Sequence, residues 1–344
     1  MDYRLSDQRS EDVALRRVWD GMIPIELQLA AADAIELLAS AVLPEPFQTF
    51  YMLMPRLSYL PFTLNKIREQ WLDPMFALSG PRPTVNNGGE LKDTEMWFEY
   101  RGQALKWHYP LGLLYDMLVG QANGEAELPW SLILHVRRFP ITKLVAQPSV
   151  SNMRDMFMAM IKESDFIRNG STKRVMDLAK SDQVQFLDGL ESHSFEKYFA
   201  IHSIIVPGMS DTRAVSSKGS RSQPKAIPVK FYMQTMGGQD DAAHGADRSA
   251  TAGGQRQVDI SLFHVTQFPV PLTRTLDSQA DVPTTVADAF RMCYEIAEQS
   301  GDAFVNNCAC LSQGICLPWE TPISWLAENL FYADCFLHLV VISV

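Results

Sequence analysis

Positive charge is short in this sequence: 30 Lys and Arg stand against 40 Asp and Glu, for a formal net charge of -10. Binding nucleic acid by phosphate neutralisation needs the opposite balance, so no nucleic-acid partner is expected. No run of about twenty apolar residues occurs, and no transmembrane helix is predicted. The opening residues, MDYRLSDQRSEDVALRR, lack an apolar core and do not read as a signal peptide. Cysteine is sparse, five in 344 residues, which fits reduced thiols in the cytosol. Cys308, Cys310, Cys316, Cys335 and His338 lack the paired C-x-x-C spacing of a zinc ribbon, so no metal is expected. Cys308 and Cys310, two apart, suit one face of a strand. A nucleophile elbow, a phosphate loop and a zinc-protease motif are also missing, and an enzyme or a bound cofactor therefore has no support in the sequence.

What is present describes a folded chain of more than one domain, 47% hydrophobic and 20% charged. Residues 10–20 read as a short helix. IPIELQLA (23–30) alternates as a strand does, DAIELLASAV is a helix or a loop insertion, and TFYMLMPRLSYL (49–60) is strand-like, with Pro55 arguing for an edge. Leu64, Ile67 and Trp71 then repeat at helical spacing. MWFEY and QALKW flank Arg101-Gly102, a hairpin signal. Pro110 suits the first turn of a helix whose face is Leu111, Leu114 and Leu118. LPWSLILHVRRF (128–139) closes the unit, giving a β-grasp order. Residues 149–201 are helical in period. Residues 207–223 read as a linker, and 236–257, rich in Gly, Ala and Asp, as a disordered loop. Four further segments complete the chain: IPVKFYMQT, VDISLFHVTQFPV and FLHLVVISV as strands, VADAFRMCYEIAE as a helix.

An internal repeat organises these pieces. At an offset of 212, GQALKWHYPLGLLYDML (102–118) lies over GICLPWETPISWLAENL (314–330) with six identities in seventeen positions. They are Gly102/Gly314, Leu105/Leu317, Trp107/Trp319, Pro110/Pro322, Leu114/Leu326 and Leu118/Leu330. A turn glycine, a helix-starting proline and helix-face leucines are positions that shape a fold. Leu134-His135 is matched to Leu337-His338 in the following strand. The expected fold is α+β: a short N-terminal helix (1–21), a ubiquitin-like β-grasp domain (22–140), a helix-rich domain (141–206), a linker (207–226) and a second ubiquitin-like domain (227–344). His108 has no counterpart in the second copy, where Glu320 stands, and no base-orienting partner is evident. Catalysis by His108 is therefore not expected.

Four stretches resemble the autophagy-related protein 5 family: VWDGMIP (18–24), YMLMPRLSYL (51–60), WFEYRGQALKWHYPLGLLYDML (97–118) and ETPISWLAENLFYADCFLHLVVI (320–342). The resemblance implies two ubiquitin-like domains around a helical region and a protein that is not itself an enzyme. It implies that one lysine accepts a ubiquitin-like modifier, autophagy-related protein 12, through an isopeptide bond made by the conjugating enzymes of the autophagy system. The conjugate then binds the coiled-coil autophagy-related protein 16. The assembly promotes transfer of a second ubiquitin-like protein to phosphatidylethanolamine on autophagosome precursors, a cytoplasmic role with peripheral membrane contact.

Carried over residue by residue, the acceptor falls in MFMAMIKESD and is Lys162. At 100° per residue Met153, Phe157, Met160 and Ser164 share one line and Lys162 points away from it, so its ammonium is expected in water. The partner-binding pattern P-x-G-x-x-x-D is met by Pro110, Gly112 and Asp116. On this reading Gly112 admits another helix and Asp116 pairs with a partner Arg. Arg16 and Trp19 are expected to extend that surface. Arg213, Lys218, Arg221 and Lys225 offer a basic stretch that anionic lipid could contact. Two readings remain open at this point, a conjugated scaffold and an unmodified ubiquitin-like interaction module; they differ at Lys162.

Overall fold

The computed structural model describes residues 13–38, 43, 45, 47–78, 92–120, 127–206, 224–234, 263–276, 280–295 and 307–343. The expected linker (207–223) and disordered loop (236–257) lie outside these residues, as does the start of the N-terminal helix. That helix, α1, is described over 13–19.

The first sheet is built from β1 (Met22–Leu29), β2 (Phe50–Pro55), β3 (Trp97–Tyr100), β4 (Gln103–Ala104) and β5 (Trp130–His135), in the order β2-β1-β5-β3-β4. β1 and β5 run parallel at its centre, with Ile25 opposite Trp130 and Leu29 opposite Leu134. Alternation along β1 buries Ile23, Ile25, Leu27 and Leu29 on one face, as the period of two requires. β2 is the edge strand that Pro55 foretold. α3 (Leu60–Ile67), a π-helical turn (Arg68–Leu72), α4 (Asp73–Leu78) and α5 (Leu111–Leu118) cover the inner face. Residues 33–38 of DAIELLASAV are helical and 39–42 lie outside the described residues: α2 (Ala31–Leu38) is held to the sheet by Asp33, whose buried carboxylate accepts the Val136 N–H at 2.8 Å.

Four helices follow: α6 (Val150–Asn169), α7 (Lys173–Met176), α8 (Lys180–Glu191) and α9 (Phe195–Ile205). The second sheet comprises β6 (Ile227–Gln234), β7 (Phe263–Val270), β10 (Cys308–Ser312), β11 (Ile315–Leu317) and β12 (Leu337–Ser343), ordered β11-β10-β12-β6-β7. β8 (Thr273–Leu276) and β9 (Ala280–Pro283) form a separate hairpin, and α10 (Val286–Tyr294) and α11 (Ile323–Asn329) pack on this sheet. Read from the other edge, the strand order matches that of the first sheet, with β6 and β12 parallel at the centre. The repeat is therefore a duplicated fold. Its two hairpin turns share one conformation: Arg101 and Gly102 have φ of 49° and 83°, Gln313 and Gly314 53° and 75°. Two successive positive φ values are those of a type I′ turn, the two-residue turn that follows strand twist.

One correspondence fails. Leu134 and His135 close β5 opposite Phe98 and Trp97 of β3, whereas Leu337 opens β12 opposite Val229 of β6. The two are at opposite ends of equivalent strands, because a two-residue match carries no register of its own.

The cores show how the copies are joined. One apolar cluster is continuous from the inner face of the first sheet through the helices to Tyr232, Leu311, Val340 and Ile342 of the second sheet. The other face of that sheet buries Val229, Phe231, Leu339 and Val341 under α10 and α11. β12 is thus buried on both sides, which explains why LVVI (339–342) is continuously apolar instead of alternating.

Candidate functional site

α6 is a 20-residue helix with both ends capped: the Ser149 Oγ accepts the Asn152 N–H at 3.2 Å, and Gly170 ends it with φ 72°. It buries Met153, Phe157, Ile161, Ser164, Asp165 and Arg168. The buried stripe is centred on Ile161 and not on Met160, which is half-buried, and Lys162 lies on its far flank. Lys162 is itself half-buried, not fully in water as its helical angle suggested. Its neighbour Glu163 accepts a 2.8 Å hydrogen bond from the Gln267 side chain of β7, which fixes this part of α6 against the second sheet. Two further bonds hold the same boundary. Arg168 donates to the Cys335 carbonyl at 3.0 Å and Tyr198 to the Ala333 carbonyl at 2.7 Å.

Gly112 and Asp116 are not offered to a partner, which corrects the reading of the P-x-G-x-x-x-D pattern. Asp116 has a side chain only 1% exposed and pairs with Arg56 of its own chain, Nη2 to Oδ1 at 2.5 Å. Its other oxygen accepts the Gly314 N–H at 2.9 Å. One carboxylate therefore joins α5, the turn after β2 and the β10–β11 hairpin of the other domain. The close approach at Gly112 is real but internal: an added Cβ would lie 3.0 Å from both the Cβ and the carbonyl oxygen of Arg56. The Gly112 N–H donates to that same oxygen at 2.7 Å. Burial pushes the Asp116 carboxyl up from its ordinary range, opposed by the charge and hydrogen bond of Arg56 and by the Gly314 amide. Burial alone would lower the Arg56 guanidinium; the charge and hydrogen bond of Asp116, with Tyr332 and Tyr115, together offset it, and the net direction is up.

Trp19 is likewise interior, 1% exposed, and this too is a correction. Its ring stacks on His193 at 4.9 Å and packs against Phe195, Tyr198 and Phe199, so α1 is pinned to α9 by an aromatic cluster. Arg16 remains accessible at 47%, with its guanidinium 3.0 Å from Glu196 and 4.4 Å from the centre of the Phe195 ring.

Compared with known proteins, the chain matches three family models in order: "Autophagy protein ATG5, UblA domain" over residues 18–136, "Autophagy protein ATG5, alpha-helical bundle region" over 150–208 and "Autophagy protein ATG5, UblB domain" over 226–341. The chain belongs to the autophagy protein 5 family. Autophagy protein 5 of Drosophila melanogaster is 28% identical over 329 residues, covering 95% of this chain and 96% of the relative. The Oryza sativa subsp. indica protein of that name is 27% identical over 379 residues, covering 95% and 93%. The crystal structure of Kluyveromyces marxianus Atg5 superposes with a TM-score of 0.62 at 22% identity, over 96% of this chain and all of that one. The fold is thus that of Atg5, two ubiquitin-like domains about a helical bundle.

Within this autophagy protein 5 family chain the repeated tryptophans are structural. Trp107 donates to the Val145 carbonyl at 2.7 Å and Trp319 to the Cys308 carbonyl at 3.2 Å. Cys308 and Cys310 lie on β10 and are buried. Burial and the charges of Lys106 and Lys230 push His108 down to about 4. Sequence reasoning missed Arg56, the residue on which Gly112, Asp116 and Gly314 converge. Its signal was an arginine between apolar neighbours in YMLMPRLSYL, where a charge survives only with a partner. No helix among the described residues is long and apolar enough to cross a membrane.

Proposed function

We propose that this chain is an autophagy scaffold whose Lys162 receives the C-terminal carboxyl of a ubiquitin-like modifier, autophagy-related protein 12, as an isopeptide. The position of Lys162 supports the reading most. It sits midway along a helix capped at both ends, off the buried stripe, with its neighbour Glu163 tied to the second sheet. An amine so placed is held in a fixed setting yet reached from outside. An ammonium has no lone pair with which to attack a thioester, so the conjugating enzyme must supply the base that takes its proton.

The conjugate would bind the coiled-coil autophagy-related protein 16 and promote lipidation of a second ubiquitin-like protein on autophagosome precursors, acting in the cytoplasm and peripherally on those membranes. It would do so without a catalytic centre of its own. Gly112 and Asp116 would influence the coiled-coil partner from inside, by holding the Gly314 turn against α5 and so fixing how the two β-grasp domains face each other. Arg16 is the one candidate on that surface whose side chain is exposed.

Co-expression with the modifier and its activating and conjugating enzymes tests the reading. A covalent band on a denaturing gel for the wild type, absent for a folded Lys162→Arg, is the expected result. A band that persists in Lys162→Arg moves the acceptor elsewhere. No band at all, with active enzymes, leaves an unconjugated interaction module.

A further inference from the structure

Lysines from the two β-grasp domains meet at the seam between them. Lys106 follows β4, with its Nζ 3.5 Å from the Tyr109 hydroxyl and 5.0 Å from the centre of that ring. The Tyr109 ring packs 5.8 Å from Tyr232 of β6. Lys230, two residues before Tyr232 and so on the same face of β6, places its Nζ 3.9 Å over Phe336. His108 stands beside Tyr109, ring centres 4.8 Å apart, and its buried Nδ1 has no hydrogen-bond partner. Both lysines are half-buried. Neither makes an ion pair with a carboxylate among the described residues. The anionic group whose charge reaches Lys230 is Asp334, buried and already bonded to His338 at 2.9 Å. Desolvating ammonium groups costs free energy, and an incoming anion would offset that cost.

The location says whose anion. Lys230 is the cross-strand partner of Gln267, which holds Glu163, and Glu163 adjoins Lys162. A protein that delivers an acyl group to Lys162 would therefore approach beside these residues. The walls also discriminate. Tyr232 and Phe336 lie buried beneath, so a partner meets the half-buried ammonium groups and Tyr109, a setting for a single carboxylate, and a net charge of -10 disfavours a polyanion.

We propose that the Lys106–His108–Lys230 seam docks an acidic side chain of the enzyme that carries the modifier as a thioester to Lys162. This rests on the conjugation reading above. In the transfer, the Lys162 amine, its proton passed to a base on the enzyme, attacks the thioester carbonyl. The C–N bond forms as the C–S bond breaks, and the enzyme leaves as its thiolate. The seam touches no reacting atom. It positions the carrier and sets its affinity.

Single-turnover transfer from the thioester-charged enzyme to the full-length chain tests this, with folding of each variant checked by circular dichroism. Lys106→Glu/Lys230→Glu should raise the half-saturating concentration of charged enzyme roughly tenfold or more and leave the maximal rate within about twofold. The milder Lys106→Gln/Lys230→Gln should shift half-saturation in the same sense and remove most of its salt dependence. An acidic residue of the enzyme changed to Lys should restore tight saturation to the Glu pair. Unchanged half-saturation in the folded Gln pair, or a fall in maximal rate alone, would overturn the proposal. Transfer that survives Lys162→Arg would instead overturn the conjugation reading beneath it.

Discussion

Asp116 has one oxygen on Arg56 of its own domain and the other on the Gly314 amide of the second domain. Truncating it strands a buried guanidinium, so Asp116→Ala should cost about 3–5 kcal/mol in urea unfolding. Replacing both partners with apolar groups, Asp116→Leu with Arg56→Met, should cost less than either single change, because no charge is then left uncompensated. Equal losses for the single and double variants would show that the pair contributes only packing. The sequence placed Gly112 and Asp116 on one helix face correctly, since four-residue spacing dictates it. Spacing carries no information about what covers the face. Arg56 lies 60 residues away, and its convergence with Gly314 is a tertiary fact.

Elements were more legible than contacts. The hairpin at Arg101-Gly102, the turn glycine Gly314, the proline-started helices α5 and α11 and the edge position of β2 all follow from local steric rules, and all were readable, though not the type of the turns. The extent of α2 was not, because its anchor, the Asp33 bond to Val136, spans 103 residues. The turn glycines separate local from tertiary cost. Gly102→Ala introduces only positive-φ strain, about 1–2 kcal/mol, since nothing lies within 4 Å of the added Cβ. Gly314→Ala should cost more, because its Cβ would also lie 3.3 Å from the Arg56 guanidinium; thermal unfolding of the two variants measures the difference. For α1, removing the ring in Trp19→Ala should cost about 3–5 kcal/mol and expose the α1–α9 contact to hydrogen exchange. Retained protection of α9 would contradict the pinning.

At the scale of the molecule, burial is the leading cause that lowers five histidines: His108 to about 4, His202 to about 3, and His135, His193 and His338 in the same direction. These groups are neutral in the folded protein and bind protons more readily once unfolded. The unfolded state therefore takes up more protons below about 6.5, and stability must fall as pH drops from there towards 4. The midpoint of urea unfolding, followed from pH 7.5 to 4.5, should be flat above about 6.5 and decline below it. A flat profile throughout would mean the folded state protonates these rings freely. The duplicated architecture was legible from six identities, whereas the continuity of one core across both copies was not, because periodicity describes each element by itself.

That continuity gives the molecule a clock. β12, residues 337–343, is a shared wall of both apolar clusters. While a ribosome is still making the preceding residues, neither the second sheet nor the cluster that runs back into the first domain can be sealed. The nascent protein must wait with apolar surface open, a ready client for chaperones, until a strand more than three hundred residues from its first helix arrives to close both clusters together.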